Sequence, residues 1–313
     1  MEINLHKDEL PINENLVRKL VDNDFPEFAD LPLGRLTASG STNVVFRLGD
    51  DLLVRLPRLA NGSTSLDKEQ RWTSAIGSKL PVAVPEIVSM GRPAFGYSEC
   101  WSIFRWLEGE LPKTCSPGEP TTAERSQLAV DLAEVVVALR RIELPQATLP
   151  CDQLRNYRGR SLAEHDKQMR RNIEQCKSIE GLDLNLDAAL AVWEKALKLR
   201  GSLKAGADQW YHSDLVAENL LLTNGRLTGV LDFGGLGIGD PTIDLHGAWE
   251  LFDQPAREVF RAQLGVDEPE WLRGRAWALA VAMMTFSYFW TTMPSRIRDR
   301  LAMARSVLSD ETG

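Results

Sequence analysis

Trp210-Tyr211-His212-Ser213-Asp214-Leu215-Val216-Ala217-Glu218-Asn219, followed after a short insert by Gly229-Val230-Leu231-Asp232-Phe233-Gly234, decides how this chain is read. The first stretch spells H-x-D-x-x-x-x-N, framed by Trp210 and Tyr211 before it and by Leu220, Leu221 and Leu222 after it. The second is an apolar run ending in D-F-G. Between them Thr223-Asn224-Gly225-Arg226 carries an N-G hairpin turn, which returns the chain so that Asp232 arrives beside Asn219. Asn219 then offers a side-chain oxygen and Asp232 a carboxylate, hard ligands suited to magnesium.

This pair of stretches resembles the phosphoryl-transfer apparatus of protein kinases. There a loop aspartate accepts the proton of the substrate hydroxyl, while the loop asparagine and a second aspartate hold magnesium. The resemblance makes Asp214 the catalytic base and Asn219 and Asp232 the metal ligands. His212 is expected to be structural, bonding backbone or a later carboxylate. Asp240 and Asp244 follow closely, and one of them is expected to brace the loop through its backbone N–H groups or through His212. The alternatives are a turn residue before proline for Asp240 and a helix cap for Asp244.

Working outward, 313 residues exceed the size at which one core stops growing, so two lobes are expected. Residues 43% hydrophobic and 26% charged are those of an ordinary globular protein. The N-terminus from Met1 to Asp30 is polar and acidic, with no apolar signal-peptide core, and the cytoplasm is the default location. The longest apolar stretch, Ala276 to Trp290, falls short of the roughly 20 residues a membrane span needs and reads as a buried core helix. Cys100, Cys115, Cys151 and Cys176 are scattered, which argues against a zinc ribbon or a redox pair. A formal net charge of −8 disfavours extended nucleic-acid binding and suits a cationic small-molecule partner.

Residues Leu16 to Val21 form a short helix in this reading, and from Gly34 the pattern turns to short β-like runs. Arg35 to Ala38, Val44 to Leu48 and Leu52 to Leu56 read as an antiparallel meander. Glu86 to Arg92 and Ser98 to Arg105 add two strands after the helical segment Leu66 to Ile76. The turn Ser39-Gly40-Ser41-Thr42-Asn43 has small residues and backbone N–H groups that suit a phosphate, although a plain hairpin turn explains it equally. Arg55 stands where kinases place a strand lysine and can neutralise phosphate oxygens in a bidentate way; the alternative is a solvent-facing edge-strand arginine. Glu69 is its expected ion-pair partner, the alternative being a surface residue beside Lys68 or Arg71. Thr121 and Glu124 form a capping box for a helix through Leu128, Leu132, Val135, Val136 and Leu139. Charged helices follow at Leu162 to Cys176 and Asp187 to Leu199, with His165 on a solvated face.

At these residues the chain resembles the aminoglycoside phosphotransferase family, the small-molecule branch of the kinase-like fold. That family has an H-G-D-x-x-x-x-N loop, an apolar strand ending in aspartate, and G-D-P-x-x-D-L; this chain has H-S-D, D-F-G and Gly239-Asp240-Pro241-Thr242-Ile243-Asp244-Leu245. The similarity extends to Leu52 through Pro57, Phe104 through Gly109 and Asn156 through Gly159, spanning about residues 34 to 250. It implies an α+β, bilobal protein-kinase-like fold: residues 1–106 a nucleotide-binding lobe with a five-stranded antiparallel sheet and one main helix, residues 107–313 a larger, mostly helical catalytic and acceptor-binding lobe. It also implies ATP or GTP as donor with magnesium, a purine held by the linker at Arg105, Trp106 and Leu107, and a hydroxyl of a small cationic antibiotic as acceptor. Glu250 and Asp253 are the implied carboxylates for acceptor amines. Ser213 in place of glycine and Arg55 in place of lysine depart from the family pattern. Asn219 is more similar to aminoglycoside enzymes than to macrolide enzymes, which have histidine there.

Two other readings stay open: a kinase of a housekeeping amino alcohol or sugar, or of a macrolide or peptide antibiotic, and a catalytically dead nucleotide-binding module. The expected assembly is a monomer or weak dimer with no membrane or nucleic-acid partner.

Overall fold

The computed structural model describes residues 5–36, 40–114, 120–144, 152–199 and 208–310. The chain divides into two compact units, Met1–Ser78 with Ala83–Glu108 and Lys79–Val82 with Gly109–Gly313. Among the described residues no helix is long and apolar enough to cross a membrane.

The first unit is a five-stranded antiparallel sheet with two helices. Its strands are β1 (Leu33–Arg35), β2 (Asn43–Leu48), β3 (Leu52–Pro57), β4 (Ile87–Gly91) and β5 (Trp101–Arg105), in the order β1-β2-β3-β5-β4. The last strand in sequence therefore lies inside the sheet, between β3 and β4. The expected strand from Arg35 to Ala38 is described only as far as Leu36, and β1 starts two residues earlier than that reading. Alternation along β2 and β3 buries Val44, Phe46, Leu48, Leu52, Val54 and Leu56 on one face, where Val17, Leu20 and Val21 of helix α1 (Glu14–Asp24) pack with Trp101 and Ile103. Each such side chain contributes about 1.5–3 kcal/mol relative to exposure. The same alternation turns Arg55 to the other face, toward helix α2 (Thr64–Gly77), whose Leu66, Glu69, Trp72 and Ile76 are buried.

The second unit is mostly helical: α3 (Thr122–Arg141), α4 (Leu162–Lys177), α5 (Leu186–Leu197), α6 (Ala248–Leu251), α7 (Gln254–Leu264), α8 (Glu268–Phe289) and α9 (Pro294–Ser309). Thr121 and Glu124 close the capping box of α3 as expected. Helix α8 is buried around most of its circumference from Trp271 to Phe286, with α4, α5 and α9 against it. Two small antiparallel pairs carry the loops of interest: β6 (Gln209–Tyr211) with β9 (Gly237–Gly239), and β7 (Leu220–Thr223) with β8 (Arg226–Val230). Asn224 and Gly225 both take positive φ between β7 and β8, the geometry that an N-G turn supplies to a two-residue hairpin. Asp131 of α3 fixes that hairpin: it receives three bonds of 2.8–3.2 Å from the Arg226 guanidinium and one of 3.0 Å from the Leu227 N–H.

Candidate active site

Asp214 sits in the loop between β6 and β7, and β8 brings Asp232 back to it: the Leu231 N–H donates to the Asn219 carbonyl at 2.8 Å. The Asn219 amide donates to the Asp214 carboxylate at 3.0 Å and to its carbonyl at 2.9 Å. Asn219 Oδ1 is thereby left without a hydrogen bond among the described residues. Asp232 Oδ1 accepts the Gly234 N–H at 3.3 Å, and its Oδ2 is likewise unbonded. Two hard oxygens with open lone pairs suit magnesium, which takes one or two protein ligands and completes its shell with phosphate oxygens and water.

The loop is held by groups remote in sequence. Asp244 accepts the N–H groups of His212 at 2.9 Å and Ser213 at 2.6 Å. Burial pushes the Asp244 carboxyl up, against the pull of His212 and those two donors. His212 donates from Nε2 to the Leu231 carbonyl at 3.0 Å, and its Nδ1 accepts the Asp214 N–H at 3.3 Å, so the ring links the two motifs. Its edge meets Phe233 with ring centroids 4.7 Å apart. Asp240 is the turn residue: its carboxylate accepts the Thr242 N–H at 3.0 Å.

Two residues here adopt the left-handed backbone conformation that favours glycine, Ser213 at φ 79° and Asp232 at φ 58°. Such strain is of order 1–3 kcal/mol per residue and is tolerated where surrounding bonds enforce it. Three bonds enforce it at Ser213. Its N–H goes to Asp244, its hydroxyl donates to the Gly235 carbonyl at 3.1 Å, and its own carbonyl accepts from Arg158 at 2.8 Å. A Cβ at position 235 would lie 2.1 Å from the Ser213 hydroxyl, so glycine there makes room for the serine.

Arg158 is the residue that sequence reading left without a role. Its Nη1 lies 3.3 Å from the Asp214 carboxylate, and its Nε donates to the Tyr157 hydroxyl at 3.0 Å. Burial alone would raise the Asp214 carboxyl, yet Arg158, with His246, Arg300 and His212, holds it well below the usual carboxylate range. Asn156 places the turn. It donates to the Gly235 carbonyl at 2.8 Å and accepts from the Tyr211 hydroxyl at 2.9 Å and the Arg158 N–H at 3.0 Å. Only the recurrence of N-x-R-G pointed here from the sequence, 56 residues before Asp214.

Glu250 and Asp253 are placed away from an open carboxylate role. Glu250 is buried; its Oε1 accepts the Ala217 N–H at 3.0 Å and its Oε2 pairs with Arg300. Asp253 caps α7 through the Ala256 N–H at 3.1 Å and accepts from the Thr122 hydroxyl at 3.0 Å. The two therefore brace the loop and join α7 to α3. His165 is not on a solvated face: its ring is wedged between Trp277 at 4.8 Å and Tyr157 at 5.9 Å, and burial lowers its pKa. Along α8, Trp277 is buried, Met284 half-buried and Tyr288 exposed.

In the first unit Arg55 pairs with Glu69 at 2.6 Å, and its guanidinium lies 4.5 Å over the Phe104 ring. Of the expected phosphate turn, Ser41 and Thr42 form a bend after Gly40 and Asn43 opens β2, while Ser39 lies outside the described residues. The turn's carbonyls are engaged from behind, Ser41 by His6 at 2.7 Å and Gly40 by Arg58 at 3.2 Å. Arg105 is exposed at the end of β5 and pairs with Glu86 at 2.9 Å. The Trp106 N–H donates to the Asp51 carbonyl at 2.7 Å, and the Arg47 guanidinium stacks 3.7 Å from its ring; Leu107 follows outside any helix or strand.

The model of the phosphotransferase enzyme family, APH, matches residues 34–277. The chain belongs to that family. It is accordingly a phosphotransferase with the protein-kinase-like fold. Among solved structures, the GDP complex of wild-type aminoglycoside 2'-phosphotransferase-IIIa is 19% identical, with a TM-score of 0.70 over 95% of this chain and 97% of that one. The GDP and kanamycin complex of an APH(2") enzyme is 18% identical, with a TM-score of 0.69 over 94% and 97%. The macrolide 2'-phosphotransferase MphH apoenzyme from Brachybacterium faecium is 20% identical, with a TM-score of 0.60 over 95% and 98%. At these identities the likeness is one of fold. No curated protein sequence matches the chain.

Proposed function

We propose that this phosphotransferase moves the γ-phosphoryl group of ATP or GTP to a hydroxyl of a dissolved small molecule in the cytoplasm, an antibiotic of the aminoglycoside or macrolide kind being its first candidate acceptor. The observation that carries this reading is the trio Asp214, Asn219 and Asp232, with the Asn219 amide turned onto Asp214 and the open oxygens of Asn219 and Asp232 left for a cation. Asn219 and Asp232 would hold magnesium, whose charge would offset that of the phosphate groups.

Asp214 accepts a hydrogen bond from the acceptor hydroxyl and aims its oxygen at the γ-phosphorus. As the new O–P bond forms, the bond to the bridging oxygen breaks and the hydroxyl proton passes to the Asp214 carboxylate. A carboxylate held ionised by Arg158 orients the alcohol throughout and takes the proton late. Arg55, held by Glu69, supplies a cation for phosphate oxygens, and the backbone N–H groups of Gly40 to Asn43 are donors for the same groups. Trp106 and Leu107 offer backbone groups to the purine. Housekeeping alcohols remain a second acceptor class, favoured by the engagement of Glu250 and Asp253 within the protein.

A coupled assay of ADP and GDP release across aminoglycosides, macrolides, peptide antibiotics and metabolites tests the reading. Asp214→Ala is expected to lower kcat about 10²–10⁴-fold on the best acceptor. Equal nucleotide turnover by wild type and variant with every acceptor would sink it.

A further inference from the structure

The turn at Asn156 to Gly159 and the exposed end of α8 carry chemistry that the phosphoryl-transfer trio does not use. Arg158 places a guanidinium 3.3 Å from the Asp214 carboxylate, where the reacting hydroxyl has to sit. Its Nη2 makes no hydrogen bond among the described residues. Next to it Tyr157 is 49% exposed, with its hydroxyl 4.0 Å from the Met284 sulfur. Tyr288, one turn further along α8, is 57% exposed. Tyr157 borders the catalytic loop through Arg158, and a tyrosine offers an apolar ring with a polar tip, which suits a binding surface.

Arginines take up three of the carboxylates around the loop. Arg296 and Arg300 both pair with Glu218, at 2.7 and 3.1 Å, and Arg300 also pairs with Glu250. Arg158, Arg296 and Arg300 thus engage Asp214, Glu218 and Glu250, while Asp244 is buried on the loop's own N–H groups and Asp232 is one of the two residues left for a cation. A polycationic acceptor would need unpaired carboxylates near its reacting hydroxyl. Here that position faces a guanidinium with a spare donor, and bringing an ammonium group against it is repulsive.

We infer that the acceptor presents to Asp214 a hydroxyl on an uncharged part of the molecule, and that a ring or hydrocarbon face of the same molecule lies on Tyr157, Met284 and Tyr288. The inference rests on the phosphotransfer reading and narrows its acceptor class. Arg158 then donates from Nη2 to an acceptor oxygen near the reacting one, and the aromatic wall supplies apolar contact instead of amine recognition.

Steady-state transfer from ATP and from GTP is measured with kanamycin, a macrolide and an uncharged aryl glucoside, each at low and high salt, with wild type, Tyr288→Ala and Tyr157→Phe. The expected kcat/KM falls as positive charge on the acceptor rises, by about tenfold or more between the aryl glucoside and kanamycin, and changes little with salt for the uncharged acceptor. Tyr288→Ala, an exposed truncation, is expected to raise KM for the preferred acceptor about fivefold or more with kcat held. Tyr157→Phe keeps the ring contact but removes the hydroxyl that holds Arg158 Nε, so it is expected to lower kcat about twofold or more while KM for the preferred acceptor moves less than in Tyr288→Ala. Highest kcat/KM on kanamycin, falling with salt, or an unchanged KM in Tyr288→Ala, would overturn this inference and leave phosphotransfer standing. Nucleotide binding without transfer to any acceptor would overturn phosphotransfer itself, and this inference with it.

Discussion

Two arginine–carboxylate pairs, Arg55–Glu69 in the first unit and Arg158–Asp214 in the second, are built differently. Arg55 and Glu69 are 2.6 Å apart and nearly dry, with side chains 11% and 3% exposed. Arg158 and Asp214 are 3.3 Å apart and partly open, at 19% and 27%. A short pair in a dry setting ties β3 to α2 and fixes where the Arg55 guanidinium stands. A longer pair at a loop edge leaves each partner able to meet something else, Asp214 a hydroxyl and Arg158 an acceptor oxygen. The contrast separates a guanidinium locked in one position by its partner from one that keeps a donor free to turn toward a reacting group.

Removing one partner from each pair should therefore give opposite kinds of loss. Glu69→Ala strands a buried guanidinium and is expected to cost about 3–5 kcal/mol in urea unfolding, while Glu69→Gln costs less. A loss under about 1 kcal/mol for the alanine variant would show that the pair is wetter than its geometry. Next in size is an acid effect beside the second pair. His246 is fully buried; burial pushes its pKa down to about 4, with Nδ1 bonded to the Ile243 carbonyl at 2.5 Å. A depressed folded pKa means that the unfolded chain binds the proton first. The contribution is thus fully present above about pH 6.5 and is lost as pH falls toward 4, by roughly 3 kcal/mol in all. His246→Asn should flatten that part of the stability curve, and an unchanged slope would place the acid sensitivity elsewhere.

Arg158→Ala should act on chemistry more than on folding. With its main counter-charge gone the Asp214 carboxyl rises toward the ordinary range, so the acid limb of the kcat profile moves to higher pH. An acid limb that stays in place would remove Arg158 from the electrostatics of the base. The smallest effect is expected for Ser213→Gly. It relieves the backbone at φ 79° and gives up the hydroxyl bond to Gly235, two terms of about 1 kcal/mol and of opposite sign. Stability should stay within about 1 kcal/mol of wild type by thermal denaturation.

Local chemistry made much of the fold legible. The alternation in β2 and β3 announced one buried face, and Thr121 with Glu124 announced the start of α3. The N-G turn announced the hairpin that carries Asn219 back to Asp232. What stayed hidden were pairings over distance. Nothing local says that β5 inserts between β3 and β4, because strand order follows from packing and not from pattern. Glu250 and Asp253 looked like open acids because their partners, Arg300 and Thr122, lie 50 and 131 residues away. Arg158 was quoted as part of a motif, but its neighbour Asp214 is set by the fold.

The two bonds that Asp244 accepts from His212 and Ser213 span 32 and 31 residues of chain. No local fluctuation of the loop can release them unless the segment after D-F-G moves as well. Those two amide protons should therefore exchange with deuterium only when a larger cooperative piece of the second unit opens. Their exchange rates would read out the free energy at which the loop ceases to exist as a site, separately from any turnover measurement.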